Sequence, residues 1–98
     1  MVTYLELEET CKNWHGETCV FGAGKIGKGM AYELLKAAGI GIDFYCDNYV
    51  ALGTVVRDDV KIRSLQYLYD NKEDVKVFIA VSEPYQDSII SQLQERGI

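Results

Sequence analysis

Apolar positions along the chain fall into short runs separated by stretches of helical period. Tyr4, Leu7, Cys11 and Trp14 recur at helical spacing, with Glu6, Glu8, Glu9 and Lys12 on the other faces, and predict a helix over residues 3–14. Thr3 and Glu6 have the spacing of a capping box at its start. Residues 17–21, ETCVF, predict a short buried strand. The helical period returns over 26–38, where Ile26, Met30, Leu34, Leu35 and Ala38 form one inward stripe and Gly39 follows as a stop. A second strand is predicted over 42–46, ending in Asp47-Asn48. Strand, helix and strand with short connections imply a right-handed parallel βαβ unit.

The next stretch is less regular. Two short extended pieces, 54–57 and 60–62, flank an Asp58-Asp59 turn that follows Gly53. Ser64 is placed to cap a short helix running to Asp70, with Leu65 and Leu68 or Tyr69 facing inward. Residues 71–74 read as a polar turn, and VKVFIAV over 75–81 is the most strand-like run in the chain. Ser82, Glu83 and Pro84 open a last helix that turns Tyr85, Ile89 and Leu93 inward, with Ile90 beside them, and that Gly97 stops. The alternation predicts an α/β fold: a small open parallel sheet of three to four strands with helices on both faces, plus an extra N-terminal helix. Residues 1–98 read as a single domain. Gly97-Ile98 resembles the approach to another strand, so the expectation is a domain excised from a longer protein, or else a half-size unit of such a fold.

Charge narrows the partners. The net charge of −5 argues against a broad nucleic-acid or anionic-membrane surface, although Lys25 and Lys28 can supply a local site for one phosphate. No apolar run approaches the ~18 residues of a membrane span. The N-terminus is acidic and lacks the basic start and apolar block of a signal peptide, so a cytoplasmic location is the default expectation. The three cysteines show no C-x-x-C spacing; Cys19 and Cys46 sit in apolar runs and read as small core residues. His15, the one histidine, falls between a helix and a strand, so no metal site is expected.

The chemistry concentrates in VFGAGKIGKGM, residues 20–30. Gly22, Gly24 and Gly27 form G-x-G-x-x-G between a predicted strand and a predicted helix, and Asp47 closes the second strand 20 residues after Gly27. The first glycine suits a tight turn, the second a close approach to a pyrophosphate, and the third close packing of helix on sheet. A helix N-terminus adds free N–H groups and a partial positive charge. Asp47 can accept hydrogen bonds from a ribose diol and repel a 2′-phosphate, which favours NAD or a nucleotide sugar over NADP. It can equally be a turn residue that caps the loop through Asn48. The expected binding set is Gly22, Gly24, Lys25, Ile26, Gly27, Asp47, Asn48 and Ser82, with Glu83 and Tyr85 lining the same crevice.

Rival motifs fit less well. Gly22 to Gly29 reads G-x-x-x-x-G-K-G, but a P-loop needs Ser or Thr at the last position to hold Mg²⁺. A methyltransferase using S-adenosylmethionine shares the glycine-rich turn and the acid but needs a longer chain. Tyr32 and Lys36 have the spacing used by short-chain dehydrogenases, yet they lie on the first helix, facing away from any crevice. No catalytic constellation emerges.

The segments GAGKIGK and F-x-C-D-N, followed by an apolar strand and a polar helix start, resemble a Rossmann-like nucleotide-binding domain of bacterial polysaccharide-biosynthesis and sugar-modifying proteins. The chain is similar over most of residues 17–98 to the N-terminal nucleotide-sugar-binding domain of sugar acyltransferases and to the cofactor module of nucleotide-sugar dehydratases. The resemblance implies that Gly22, Gly24, Gly27 and Asp47 face a nucleotide. It does not carry over a reaction, because the catalytic regions of those families have no counterpart here. The expected function is non-covalent binding of a dinucleotide or nucleotide sugar in the service of a larger enzyme. The alternative is a degenerate domain of the same type that mediates protein interaction, either as a homodimer or against a catalytic domain.

Overall fold

The computed structural model describes residues 15–98, so the helix expected over 3–14, with Cys11 and Trp14, lies outside the described residues. Three strands form a parallel sheet in the order β2-β1-β5: β1 is Glu17–Phe21, β2 Phe44–Cys46 and β5 Val75–Ile79. Two further strands, β3 (Val55–Arg57) and β4 (Val60–Lys61), make a separate antiparallel hairpin. The hairpin returns to the edge of the sheet, where Ile62 bridges to Tyr45 in parallel and the Arg63 amide donates to the Tyr45 carbonyl at 2.9 Å.

Both faces of the sheet are covered. Val20 and Tyr45 point to one face and pack with Leu35 of α1 (Tyr32–Ala37) and with Ile62. Cys19, Phe21, Phe44 and Cys46 point to the other. There they meet Leu68 of α2 (Leu65–Asp70) and Ile89 and Leu93 of α3 (Glu83–Gln94). Cys19 and Cys46 are fully buried thiols, as their apolar surroundings in the sequence predicted. Burial pushes the Cys19 thiol well above its ordinary range.

Helix ends follow local chemistry. Ser64 Oγ accepts from the Tyr67 amide at 3.0 Å and starts α2. Gly39 (φ +75°) ends α1, with Gly39 N–H bonded to the Lys36 carbonyl and Ile40 N–H to the Leu35 carbonyl, a Schellman closure. Gly97 (φ +80°) ends α3 in the same way, through Ile98 N–H to the Leu93 carbonyl. The hairpin loop is Asp58-Asp59, with φ of 48° and 65°, the left-handed pair of a type I′ turn.

Several expectations need correction. The strand expected over 75–81 ends at Ile79, and Ile90, expected beside the inward residues of the last helix, is exposed. The second strand begins at Phe44, not at residue 42; just before it the Asp43 amide donates to the Thr18 carbonyl at 2.9 Å, while the Thr18 amide is taken at 2.7 Å by the Asp43 carboxylate instead of a backbone carbonyl. Met30 is 59% exposed rather than inward. The chain before α1 is a π-helical turn, Gly27–Ala31, whose extra residue moves the inward position from Met30 to Ala31. Tyr85 is 64% exposed, because it lies in the first turn of α3, beyond the end of β5 at Ile79. Among the described residues, no helix is long and apolar enough to cross a membrane.

Candidate functional site

The glycine turn leaves the C-terminal end of β1, the central strand. Its entry is fixed on both sides: the Gly22 amide donates to the Cys46 carbonyl and the Ala80 amide to the Phe21 carbonyl, each at 2.8 Å. Gly22 has φ +116°, and a Cβ there would lie 2.5 Å from the Ala80 carbonyl oxygen. A Cβ on Gly27 would lie 1.7 Å from the Gly22 carbonyl oxygen, so this glycine lets the helix start sit directly against the turn. At Gly24 a Cβ would meet nothing within 4 Å; its open side is surface that a ligand can reach. The three glycines therefore divide into two that the fold requires and one that it does not.

The helix begins where the turn ends, with the Lys28 amide donating to the Gly24 carbonyl at 3.0 Å. The amides of Gly24, Lys25 and Ile26 have no protein acceptor among the described residues, as expected of the first residues of a helix. The buried Tyr45 hydroxyl donates to the Gly27 carbonyl at 3.0 Å, at the first residue of the π turn. A side-chain donor inserted at a helical carbonyl is a local disturbance of the helix ladder. Burial pushes the Tyr45 hydroxyl up to about 12.

An open cleft of about 700 Å³ lies over the C-terminal ends of the strands. Of the residues expected to bind, Gly22, Gly24, Lys25, Ile26, Asp47, Asn48 and Ser82 line it. Gly27 does not; it is buried behind the turn. Tyr85 lines the cleft, whereas Glu83 does not. Ser82 occupies the N-cap position of α3, but its hydroxyl makes no capping bond. The expected set lacks Phe21, Tyr49, Ala80, Val81, Ser88 and Ile89, which complete the wall. Ser88 was within reach of helical spacing, since it follows Tyr85 by three residues on α3. Tyr49, 96% exposed in a loop, carried no periodic signal.

The two residues after β2 are tied to the protein. Asp47 Oδ2 accepts from the Ala23 amide at 2.9 Å, and Oδ1 accepts from the Tyr49 and Val50 amides at 2.8 and 3.2 Å. Asn48 exchanges two side-chain hydrogen bonds with Gln92 of α3, at 2.8 and 3.1 Å, and Gln92 also reaches the Tyr69 hydroxyl at 3.1 Å. The loop after β2 is thereby fastened to the glycine turn on one side and to α3 on the other.

Tyr32 and Lys36 lie away from the cleft. The Lys36 ammonium is 5.8 Å from the Tyr32 ring, and the Tyr32 hydroxyl donates to Asp58. That bond raises the Tyr32 hydroxyl above its ordinary range. Arg57 lies 3.9 Å from the same ring, bonds the Lys28 carbonyl at 3.0 Å and pairs with Glu33. This cluster docks the hairpin on the helix. Among the described residues, no three His, Cys, Asp or Glu gather to hold a metal ion. No protein-family model matches the sequence, and no curated protein matches it significantly.

Proposed function

We propose that this protein binds a phosphate-bearing nucleotide, either a dinucleotide or a nucleotide sugar, in the cleft above β1. The observation that carries this reading is the surface at Gly24: a glycine that the fold does not need, beside unpartnered amides at a helix start, on the wall of a sizeable cleft. Lys25 adds a cation on the same wall. The remainder of the ligand then extends toward α3, where Ser82 and Ser88 offer hydroxyls and Tyr85 and Ile89 an apolar wall. The fold is Rossmann-like in this reading, with the ligand at the C-terminal ends of parallel strands. A role within a larger sugar- or polysaccharide-modifying enzyme in the cytoplasm rests on the resemblance of GAGKIGK and F-x-C-D-N.

Thermal shift and calorimetry against NAD, NADP, a UDP-sugar and coenzyme A test the reading. At least one should bind, and Gly24→Val should abolish that binding while leaving the fold intact. Failure of all four overturns it. A second reading, an interaction module, draws on Tyr49, Leu52 and Val55, three large exposed apolar residues in and beside one loop. A stable dimer that ignores every nucleotide would favour it.

A further inference from the structure

The hydrogen bonds of Asp47 bear on what kind of nucleotide the cleft can select, an inference that rests on the proposed phosphate site. A carboxylate offers about four acceptor positions, two on each oxygen. In Asp47, Oδ1 already takes two backbone amides, from Tyr49 and Val50, and Oδ2 takes the Ala23 amide. One position remains, on Oδ2. A vicinal ribose diol held by both its hydroxyls needs two, so it could bind in that way only by displacing an amide of the loop or of the turn. Asn48, the neighbouring candidate for ribose recognition, has its side-chain amide held by a pair of hydrogen bonds to Gln92, one through its oxygen and one through its nitrogen.

The position of Ala23 gives these bonds a second meaning. Ala23 lies between Gly22 and Gly24 inside the turn, and its amide is held by a carboxylate from the loop after β2. Hydrogen bonds to charged groups are roughly twice as strong as neutral ones. Fixing Ala23 fixes the direction of the Gly24, Lys25 and Ile26 amides that follow it.

We propose that Asp47 is a positioning residue for the phosphate-binding turn rather than a ribose acceptor. The cleft accordingly selects phosphorylated ligands through their phosphates, without a two-hydroxyl grip on the ribose by Asp47, so that the 2′-hydroxyl adds little to affinity.

The test is calorimetry, well below the melting temperature, with inorganic pyrophosphate, ADP and 2′-deoxy-ADP on the wild-type protein and on Asp47→Asn. An asparagine retains one acceptor oxygen and cannot serve both Ala23 and the Tyr49-Val50 pair. The expected result is that wild type binds ADP and 2′-deoxy-ADP within about threefold of each other, and that Asp47→Asn weakens all three ligands by a similar factor, about tenfold or more. Pyrophosphate affinity that survives the substitution while ADP affinity falls would overturn the inference, as would a lower melting temperature with unchanged affinities. A preference of wild type for ADP over 2′-deoxy-ADP of about tenfold or more would also overturn it, and this arm needs no variant. Failure of wild type to bind any of the three would overturn the proposed phosphate site itself, and the inference with it.

Discussion

The Asp47 carboxylate, at the end of β2, accepts a 2.9 Å hydrogen bond from the amide of Ala23, between the first two glycines after β1. One side chain thus joins the loops that leave two neighbouring parallel strands. The cleft lies beside this joint, and Gly24, Lys25 and Ile26, whose amides are unpartnered among the described residues, stand on its wall.

The glycines should separate binding from folding. Gly24→Val places its side chain in open space, so the melting temperature should stay within a few degrees while nucleotide binding is lost. Gly27→Ala puts a Cβ against the Gly22 carbonyl, which neither backbone segment can vacate without moving the turn. That overpacking should cost about 3 kcal/mol or more. Urea denaturation of the two variants, paired with calorimetry of Gly24→Val, checks both expectations.

Tyr45→Phe should destabilise the protein by roughly 1–3 kcal/mol, because the Gly27 carbonyl loses a buried donor. It should also change the alkaline limit. Burial raises the folded-state value of Tyr45 from 10.0 to about 12. Below the unfolded value the hydroxyl is neutral in both states and its contribution is intact. Between about 10 and 12 the unfolded state loses the proton first, so stability falls as pH rises. Denaturation curves from pH 9 upward should therefore fall more gently for Tyr45→Phe than for wild type.

The hairpin loop offers a stabilising change. Asp59 holds φ 65° at the second central position of a type I′ turn, where glycine is preferred. Asp59→Gly should stabilise by about 0.5–1 kcal/mol, visible as a rise of a few degrees in melting temperature. Asp58 is a different case, since it accepts from the Tyr32 hydroxyl and anchors the hairpin to α1. Asp58→Gly should give a smaller gain or a loss in the same measurement.

Tyr85→Ala should leave stability nearly unchanged, because the ring is 64% exposed. If the base or sugar of the ligand lies along α3, the substitution should weaken nucleotide binding about fivefold or more while sparing inorganic pyrophosphate. Parallel titrations with the two ligands separate these effects.

Much of this structure was legible in the residues. Strand Glu17–Phe21, the Ser64 cap, the Asp58-Asp59 turn and the stops at Gly39 and Gly97 follow from local chemistry and are found where the pattern places them. Met30 could not be read correctly, because its orientation depends on a π turn at which Tyr45, 15 residues further on, donates to Gly27. β2 starts later than the pattern places it, and beside its start the Thr18 amide is taken by the Asp43 side chain, a bond that periodicity does not encode. For the site, the glycine spacing located the cleft, but the partners of Asp47 and Asn48 come from residues brought near only by folding. That is why the spacing alone left Asp47 open between ribose acceptor and loop cap.

The decisive measurement is an amide NMR titration of the protein with ADP. Saturable shifts at Gly24, Lys25 and Ile26, with smaller ones at Ser82 and Tyr85, are the predicted result. Shifts confined to other parts of the surface, or none at millimolar ADP, would contradict a phosphate site at the glycine turn.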